Sequence, residues 1–169
     1  MSEDRQNAIQ LLTEDHRRVE ALFEKFEKAS GGKAKETIAR EICAELVIHT
    51  SLEEEVFYPA LRGKISDDDL DEAMVEHDSA KILIGEIQQG TPDEDFYDAK
   101  VKVLKEQIEH HVKEEERQSG NIFTQARRAD VDLDALGEEM ARLKSELLAF
   151  AKSGDLPEIE TPTMQHEGA

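Results

Sequence analysis

Four segments of this 169-residue chain carry apolar residues at helical spacing, and each places one histidine on its apolar face. In the second and fourth segments a glutamate follows the histidine by four residues. Such a pair lies on one face, because residues four apart are separated by only about 40° around an α-helix. The six positions are His16, His49, Glu53, His77, His111 and Glu115. This pattern predicts helices that pack together with these polar side chains in the interior.

The two halves of the chain repeat one another at these positions. The first histidine of each half is 61 residues from its counterpart, and the His-x-x-x-Glu motif is 62 residues from its counterpart. The flanks also repeat, because an acidic residue precedes the first histidine of each half (Asp15 and Glu76) and acidic residues follow both glutamates. We therefore expect two helical hairpins related by a pseudo-twofold axis, an arrangement that builds a symmetric two-metal centre.

The residues between the segments predict where the helices begin and end. Ser30-Gly31-Gly32 ends the first helix, Ser66 is the expected N-cap of the third, and Thr91-Pro92 is a start signal for the fourth. The predicted helices are 4–29, 34–61, 66–90, 91–128 and 132–152. Short loops make neighbouring helices run antiparallel. The predicted fold class is all-α, an up-down-up-down four-helix bundle with an additional C-terminal helix.

We expect three regions along the chain. Residues 1–130 form the metal-binding bundle, and residues 131–152 form a C-terminal helix that packs on the bundle or makes an interface. Residues 153–169 include two prolines and are expected to form a flexible tail. Oligomerisation through the C-terminal helix is left open.

The net charge of -19 limits the partners of the chain. Such a charge repels phosphate backbones and anionic lipids, so we expect neither nucleic acid nor a membrane as a partner. No apolar run approaches the roughly 20 residues that span a bilayer, and Met1–Gln10 lacks signal-peptide features, which predicts a cytoplasmic protein. The single cysteine, Cys43, excludes an internal disulfide and a thiolate metal site. A cation with nitrogen and oxygen ligands fits this composition.

A metal ion resolves the cost of burying two carboxylates in the bundle. A buried carboxylate without a partner is strongly unfavourable, and neither Glu53 nor Glu115 has a Lys or Arg four residues away on its own helix. Imidazole and carboxylate ligands without thiolate favour iron, manganese or zinc over calcium and magnesium. Two adjacent ions that share carboxylates favour iron first. The six positions are therefore the predicted ligands of a di-iron centre.

Four motifs resemble those of the hemerythrin family, in its bacterial branch called the HHE cation-binding domain. They are Glu14-Asp15-His16, the segment HTSLEEEVFYP from His49, Val75-Glu76-His77, and the segment HHVKEEE from His110. This resemblance implies that the four histidines are terminal iron ligands and that Glu53 and Glu115 bridge two irons, which an oxo or hydroxo group also bridges. It also implies a small partner, namely O₂, NO or peroxide. Manganese and zinc are expected substitutes for iron.

The chain departs from the oxygen-carrying hemerythrins on its third helix. Those proteins have a second histidine four residues from the first, and here Ala73 and Lys81 occupy the candidate positions. A count of ligands around two octahedral ions then leaves two positions open, one more than a fifth histidine would leave. Open positions favour reaction with O₂, NO or peroxide over reversible oxygen carriage. The apolar residues expected to surround the centre are Leu12, Leu46, Leu104 and Ile108.

A few other residues are assigned by their position. His111, and not His110, continues the apolar stripe of its helix and is the predicted ligand. A three-residue insertion within 117–124 breaks the repeat and predicts a kink at the end of the fourth helix. Tyr58, near a helix end, is interpreted as a packing residue, and His166 as an exposed residue of the tail.

Three functions are open at this point. The leading one is a non-haem di-iron protein that binds or senses O₂, NO or peroxide, with at most weak turnover of peroxide or NO, so whether the chain is an enzyme is undecided. The second is an iron-buffering or signalling module whose fold depends on metal. The third is a metal-free structural bundle. Metal content separates the third from the others, and binding of a small ligand separates the first from the second.

Overall fold

The computed structural model describes residues 5–154, 156 and 158–164, and these residues form helices and turns without a β-strand. The α-helices are α1 (Ala8–Lys28), α2 (Gly32–Leu52), α3 (Tyr58–Leu61), α4 (Asp67–Gln89), α5 (Tyr97–Val112), α6 (Ile122–Arg128) and α7 (Leu133–Ser153). Two π-helical turns, Glu53–Phe57 and Lys113–Arg117, continue α2 and α5. The predicted all-α fold is confirmed. Within this part of the chain, no helix is both long enough and apolar enough to cross a membrane.

Several helices begin where a side chain satisfies a free backbone amide. The side chain of Asn7 accepts a hydrogen bond from the amide of Gln10 (2.9 Å), and the side chain of Gln10 accepts one from the amide of Asn7 (3.0 Å). This reciprocal pair is a capping box. Ser66 caps α4 and Asp132 caps α7 in the simpler one-way form. The predicted start of the third helix at Ser66 is therefore confirmed.

The helices α1, α2, α4 and α5 form the bundle, with extensive contacts within the pairs α1–α2 and α4–α5 and between α2 and α4. Two apolar clusters fill its interior. The first includes Val19, Phe23, Leu46, Ile84 and Leu104, and the second includes Leu12, Leu52, Phe57, Leu70 and Phe123. Along their helices, His16, His49 and His77 fall between residues of the two clusters, whereas His111 lies at the end of the first cluster and Glu53 at the start of the second. Apolar packing on both sides therefore fixes the level of the centre in the bundle.

The fourth predicted helix begins later than the sequence pattern indicated. Thr91 to Glu94 form a single turn, in which the amide of Glu94 donates to the carbonyl of Thr91 at 3.0 Å. Phe96 then adopts a left-handed conformation with φ of 68°, and the helix starts only at Tyr97. A left-handed residue cannot continue a right-handed helix. The predicted start at Thr91 is therefore wrong.

The chain also breaks at the other end of α5, where the three-residue insertion predicted a kink. Residues 118–121 separate the second π turn from α6, and Gly120 takes a positive φ of 70° there. The side chain of Asn121 accepts from the amide of Thr124 at 2.8 Å and starts α6. The single predicted helix 91–128 is therefore two helices, because the extra residues form a turn and a new N-cap.

The C-terminal helix α7 packs on α1 and α2 of its own bundle. Gly137 permits the close approach, because a Cβ atom at this position would collide with the backbone of Gln6 and Asn7. Met140 on the inner face of α7 is fully buried, whereas Phe150 on the outer face is 52% exposed. A role of this outer face in oligomerisation stays a prediction.

Residues 158–164, which belong to the predicted flexible tail, lie against α4. The backbone amide and the hydroxyl of Thr163 donate to Oδ2 of Asp78 at 2.7 and 2.6 Å. The carbonyl oxygen of Glu160 accepts from the ammonium group of Lys81 at 3.0 Å. Asp78 is fully buried and needs such donors, which explains why this segment lies there. The rest of the predicted tail includes 155, 157 and 165–169, with His166, which lie outside the described residues.

Candidate metal centre

The six residues predicted as ligands come together in the middle of the bundle. All six are buried, and both glutamates are completely inaccessible to solvent. Their ligand atoms form two groups, each compact enough for one ion. The first group is His16, His49, Glu53 and Glu115, and the second is Glu53, His77 and His111. Glu53 belongs to both groups, so its carboxylate would hold both ions.

The distances between these ligand atoms fit the edges of coordination spheres. Ligands held at about 2.1 Å from an ion and at right angles to each other are about 3.0 Å apart. The Nε2 atoms of His16 and His49 are 3.2 Å apart, and so are those of His77 and His111. Nε2 of His111 is also 3.0 Å from Oε2 of Glu115. Glu115 of the first group therefore also lies within reach of an ion that the second group would hold.

The two buried glutamates lack hydrogen bonds that a metal-free core would need. Both carboxylate oxygens of Glu53 and Oε1 of Glu115 have no hydrogen-bond partner. Nε2 of His49 is 2.6 Å from Oε1 of Glu53, which makes an ion pair when the imidazole is protonated, but the contact does not have the geometry of a hydrogen bond. Close contact without a hydrogen bond is expected for two atoms that point at a common third atom. These residues therefore fit a bound cation, which would satisfy the free oxygens together.

The outer ring nitrogen of each histidine faces a second carboxylate. The pairs are His49 with Asp15 (3.3 Å), His77 with Glu54 (3.2 Å), His111 with Glu76 (3.2 Å) and His16 with Glu116 (3.5 Å). In the first three pairs, an Nδ1–H that donates to the carboxylate fixes the tautomer and leaves the lone pair of Nε2 free for a metal, whereas Nδ1 of His16 makes no hydrogen bond. The repeated acidic flanks in the sequence were the only signal for these four carboxylates. Their role was not predicted.

Positive side chains hold three of these four carboxylates. The pairs are Lys144 with Asp15, Lys81 with Glu54 at 2.7 Å, and Arg17 with Glu116. The fourth carboxylate, Glu76, instead lies 3.4 Å from the exposed imidazole of His110. Lys144 belongs to α7, and Lys81 also binds the carbonyl of Glu160. The C-terminal part of the chain therefore helps to position the histidines.

In the metal-free protein, protonated imidazoles balance the buried carboxylates. Burial opposes the charge of His49, but the neighbouring carboxylates, chiefly Glu53, outweigh burial and raise its pKa to about 10. Burial likewise opposes the charge of His111, and Glu115 raises its pKa well above the usual value. Burial and the charge of His49 lower the pKa of His16 to about 4. Metal binding must therefore displace protons from two of the histidines.

Both glutamates lie in π-helical turns, which the helical periodicity of the sequence did not predict. A π turn contains one residue more than an α turn, is rare, and is frequent at functional sites. Pro59 follows the first π turn, and its missing amide hydrogen suits a place where the α-helical hydrogen bonds are interrupted. The same irregularity in both halves supports a shared local requirement at the two glutamates.

The two halves differ in the aromatic residue beside the centre. Tyr58 stacks on His77 and Phe123 stacks on His16, with ring centroids 5.5 and 5.9 Å apart. These two residues are 65 apart, which is the 62-residue repeat plus the three-residue insertion. The hydroxyl of Tyr58 donates to Oε2 of Glu115 at 2.7 Å and lies 3.5 Å from Nε2 of two ligand histidines. Tyr58 therefore does more than pack, and the centre is asymmetric.

An enclosed cavity lies beside the four histidines. It leaves about 20 Å³ for the centre of a water-sized molecule, which is enough for one small ligand. Its apolar walls include Val19, Leu46, Ala80, Ile84, Ile108 and Val112. Leu46 and Ile108 were predicted to surround the centre. The predicted Leu12 and Leu104 are not part of the wall, because Leu12 belongs to the second apolar cluster and Leu104 lies two helical turns from His111.

The fold and the buried His/Glu groups together define a metal-binding helical bundle. The family model described as Hemerythrin HHE cation binding domain matches residues 7–119. The chain belongs to this family. The match ends before α6 and α7, so Lys144 and the segment around Glu160 lie outside the part that the family model covers.

Two individual proteins are similar to the chain. A hemerythrin HHE cation binding domain-containing protein from Mycobacterium kansasii has a solved structure that aligns with a TM-score of 0.71 and 24% identity, over 88% of this chain and 93% of that chain. This likeness supports the fold. A protein of Nostoc sp. named DNA nickase is 26% identical over 110 residues, which are 65% of this chain and 31% of that protein. The chain therefore matches about a third of the length of this relative.

Proposed function

We propose that the chain is a cytoplasmic non-haem di-iron protein that binds or senses O₂, NO or peroxide. Four histidines would hold the ions through Nε2, and Glu53 and Glu115 would hold them through their carboxylates. When bound, the ions supply Lewis-acidic and redox-active positions for small ligands. The chain itself fixes the tautomers of His49, His77 and His111, excludes bulk water and leaves a small apolar cavity beside the histidines.

The observation that carries this proposal is the pair of buried glutamates with free oxygens. In a metal-free structural bundle, each unsatisfied buried oxygen would cost about 1–3 kcal/mol, and more for a charged group. Glu53 and Glu115 keep three such oxygens among four imidazole nitrogens. A purely structural role gives no reason to retain them. A pair of cations does, because the cations satisfy the oxygens and displace the protons from the histidines.

Tyr58 is the residue that we expect to distinguish the two ions. Its hydroxyl donates to Glu115 and is close to Nε2 of His77, so it lies beside the second group of ligands. Burial and the nearby carboxylates raise the pKa of Tyr58 well above its usual value, so it is a neutral phenol in the metal-free protein. We propose that this hydroxyl orients Glu115 and would lie beside the ion that His77 and His111 hold.

We expect purified protein that has been loaded anaerobically with Fe(II) to hold two irons per chain. His111→Ala should lose most of this iron, because His111 supplies a buried ligand atom. His110→Ala should keep two irons at saturation, because His110 is 61% exposed and its ring lies outside the centre. Iron per chain after desalting is the measurement. If His110→Ala loses the iron and His111→Ala keeps it, the ligand assignment on α5 is wrong.

We expect the di-ferrous protein to bind NO and to oxidise rapidly in air, and the di-ferric protein to bind azide, because open positions beside a small cavity accept such ligands. Tyr58→Phe should change the azide affinity and the visible spectrum of the ferric protein. Tyr97→Phe is the matched control, since it removes a hydroxyl that lies in the first apolar cluster. Absorbance titrations give the result. Two bound irons without any response to NO or azide would favour iron buffering over sensing.

A further inference from the structure

The pseudo-twofold repeat of the bundle is broken on its surface. In the first half, α7 packs over α1 and α2, whereas α4 and α5 have no such covering helix among the described residues. Equivalent positions follow from the repeats of 61 and 62 residues. They are Leu11, Ile48 and Leu52 in the first half and Glu72, His110 and Glu114 in the second. The first three are buried, whereas Glu72 and His110 are exposed and Glu114 is half-buried.

The three polar residues place ligand atoms within 4.8 Å of one another. Nε2 of His110 is 3.1 Å from Oε1 of Glu114 and 3.4 Å from Oε2 of Glu76. Among the described residues, no Lys or Arg forms an ion pair with Glu72, Glu76 or Glu114. One imidazole and three carboxylates without a permanent cation are a suitable ligand set for Fe²⁺, Mn²⁺ or Zn²⁺.

A crevice connects this cluster to the buried centre. Its wall includes the exposed Glu72 and the half-buried Glu76 and Glu114 on the outside, and the fully buried His111 and Glu115 at the inner end. Oε1 of Glu115 is one of the buried oxygens without a hydrogen-bond partner. Glu76 links the two ends directly, because its other oxygen accepts from Nδ1 of His111 at 3.2 Å.

We propose that Glu72, His110 and Glu114, assisted by Glu76, form a second, exposed metal site that captures a divalent first-row transition ion and passes it through the crevice to His111 and Glu115. The capture of an ion stands on the outer cluster alone. The transfer step rests on the proposed di-iron function, because it requires an inner destination for the ion. In the first half of the bundle, the buried apolar residues Leu11, Ile48 and Leu52 occupy the corresponding positions, so the described residues there form no equivalent route.

The outer site is suited to transfer rather than to storage. Its ligands are accessible to solvent, so a bound ion keeps part of its water shell and is released more easily than from a closed site. The negative field of the crevice raises the local concentration of cations and so accelerates their capture. The buried centre then binds the ion more tightly than the outer site, because the ion there also satisfies the free oxygens of the buried glutamates.

The test compares the metal-free full chain with the triple variant Glu72→Gln/His110→Gln/Glu114→Gln. Mn²⁺ binding, counted by electron paramagnetic resonance, should fall from three ions per chain to two. Anaerobic Fe²⁺ loading, followed with ferrozine as a trap for unbound iron, should slow by about tenfold or more. The final content of two inner irons should be unchanged, which also shows that the variant is folded.

The matched control is Glu24→Gln/Glu139→Gln. It also removes two negative charges, but from exposed positions on α1 and α7. It should bind three Mn²⁺ ions and load iron at the rate of the unchanged protein. The proposal is overturned if the triple variant binds as many ions as the control or loads iron as fast. If the unchanged protein binds a single ion and none at the buried centre, the proposed di-iron function is wrong. The outer site is still tested in that case, because the triple variant should lose this single ion.

Discussion

Removal of metal is expected to lower the melting temperature of the protein by about 15–30 °C, because each of two ions at about 1,000 times its Kd contributes about 4 kcal/mol, and a chain of this size shifts by about 2–4 °C per kcal/mol. The site exists only in the folded bundle, so binding free energy adds to folding free energy. The six ligands lie on α1, α2, α4 and α5 and on both π turns. Bound metal would therefore cross-link the helices that form the bundle.

Differential scanning calorimetry of metal-free and iron-loaded protein measures this shift. Glu53→Gln is the informative variant, because it removes the charge that both ligand groups share while it keeps the shape of the side chain. It should abolish most of the shift. Glu139→Gln, on the outer surface of α7, should retain it. Equal melting temperatures with and without iron in the unchanged protein would refute a metal-dependent centre.

The convergence of the six positions was predictable because it follows from a local property. Helical spacing fixes which residues of one helix share a face, and the 62-residue repeat relates the two halves. The structure brings His16, His49, His77 and His111 together as this reasoning requires. Their function as metal ligands stays a proposal. Nothing beyond periodicity and repeat length was needed for the convergence.

The surroundings of the centre were not predictable in the same way. The carboxylate that faces each histidine comes from another helix, between 23 and 100 residues away, as in His77 with Glu54 and His16 with Glu116. Such pairs depend on how neighbouring helices rotate against each other, and periodicity within one helix does not specify that rotation. The π turns were not predicted for a related reason, because a sequence pattern that fits an α-helix does not show where a turn contains one extra residue. The contact of the Tyr58 hydroxyl with Glu115 was not predicted because it depends on the packing of two helices.

The start of α5 shows that tertiary packing can outweigh a local capping signal in the sequence. The sequence Thr91-Pro92 with Glu94 is a start signal, and it does form one hydrogen-bonded turn. The left-handed Phe96 prevents that turn from continuing, and Tyr97 begins α5 inside the first apolar cluster, with its ring 6.5 Å from that of Phe26. Burial of Tyr97 is a tertiary requirement, and it outweighs a capping preference of about 1 kcal/mol.

The second large effect that we expect is a stability optimum near pH 6.5 in the metal-free protein. His49 has a pKa of about 10 when folded and an ordinary value near 6.5 when unfolded. Its contribution to the free energy of unfolding is therefore complete below about pH 6.5 and is lost as the pH rises towards 10. The loss is about 1.4 kcal/mol for each pH unit. His111, whose pKa is also raised, contributes in the same direction.

The acid side of the optimum has the opposite origin. His16 has a pKa of about 4 when folded, so between about pH 6.5 and 4 the unfolded chain takes up a proton that the folded chain excludes, and stability falls as the pH falls. Burial opposes the charge of Glu53, but His49 and the other imidazoles lower its pKa well below the usual value, so its contribution is lost below about pH 4.5. Both limbs come from side chains of the centre.

Urea midpoints of the metal-free protein between pH 4.5 and 10 test this expectation. His49→Gln should flatten the alkaline limb, and His16→Gln should flatten the upper part of the acid limb, whereas His110→Gln should leave both limbs in place. Iron-loaded protein should show little change between about pH 6.5 and 9, because the metal replaces the protons on the imidazoles. A metal-free protein whose stability is level from pH 6.5 to 10 would show that His49 is not held as an imidazolium ion by Glu53, and the electrostatic account of the empty centre would then be wrong.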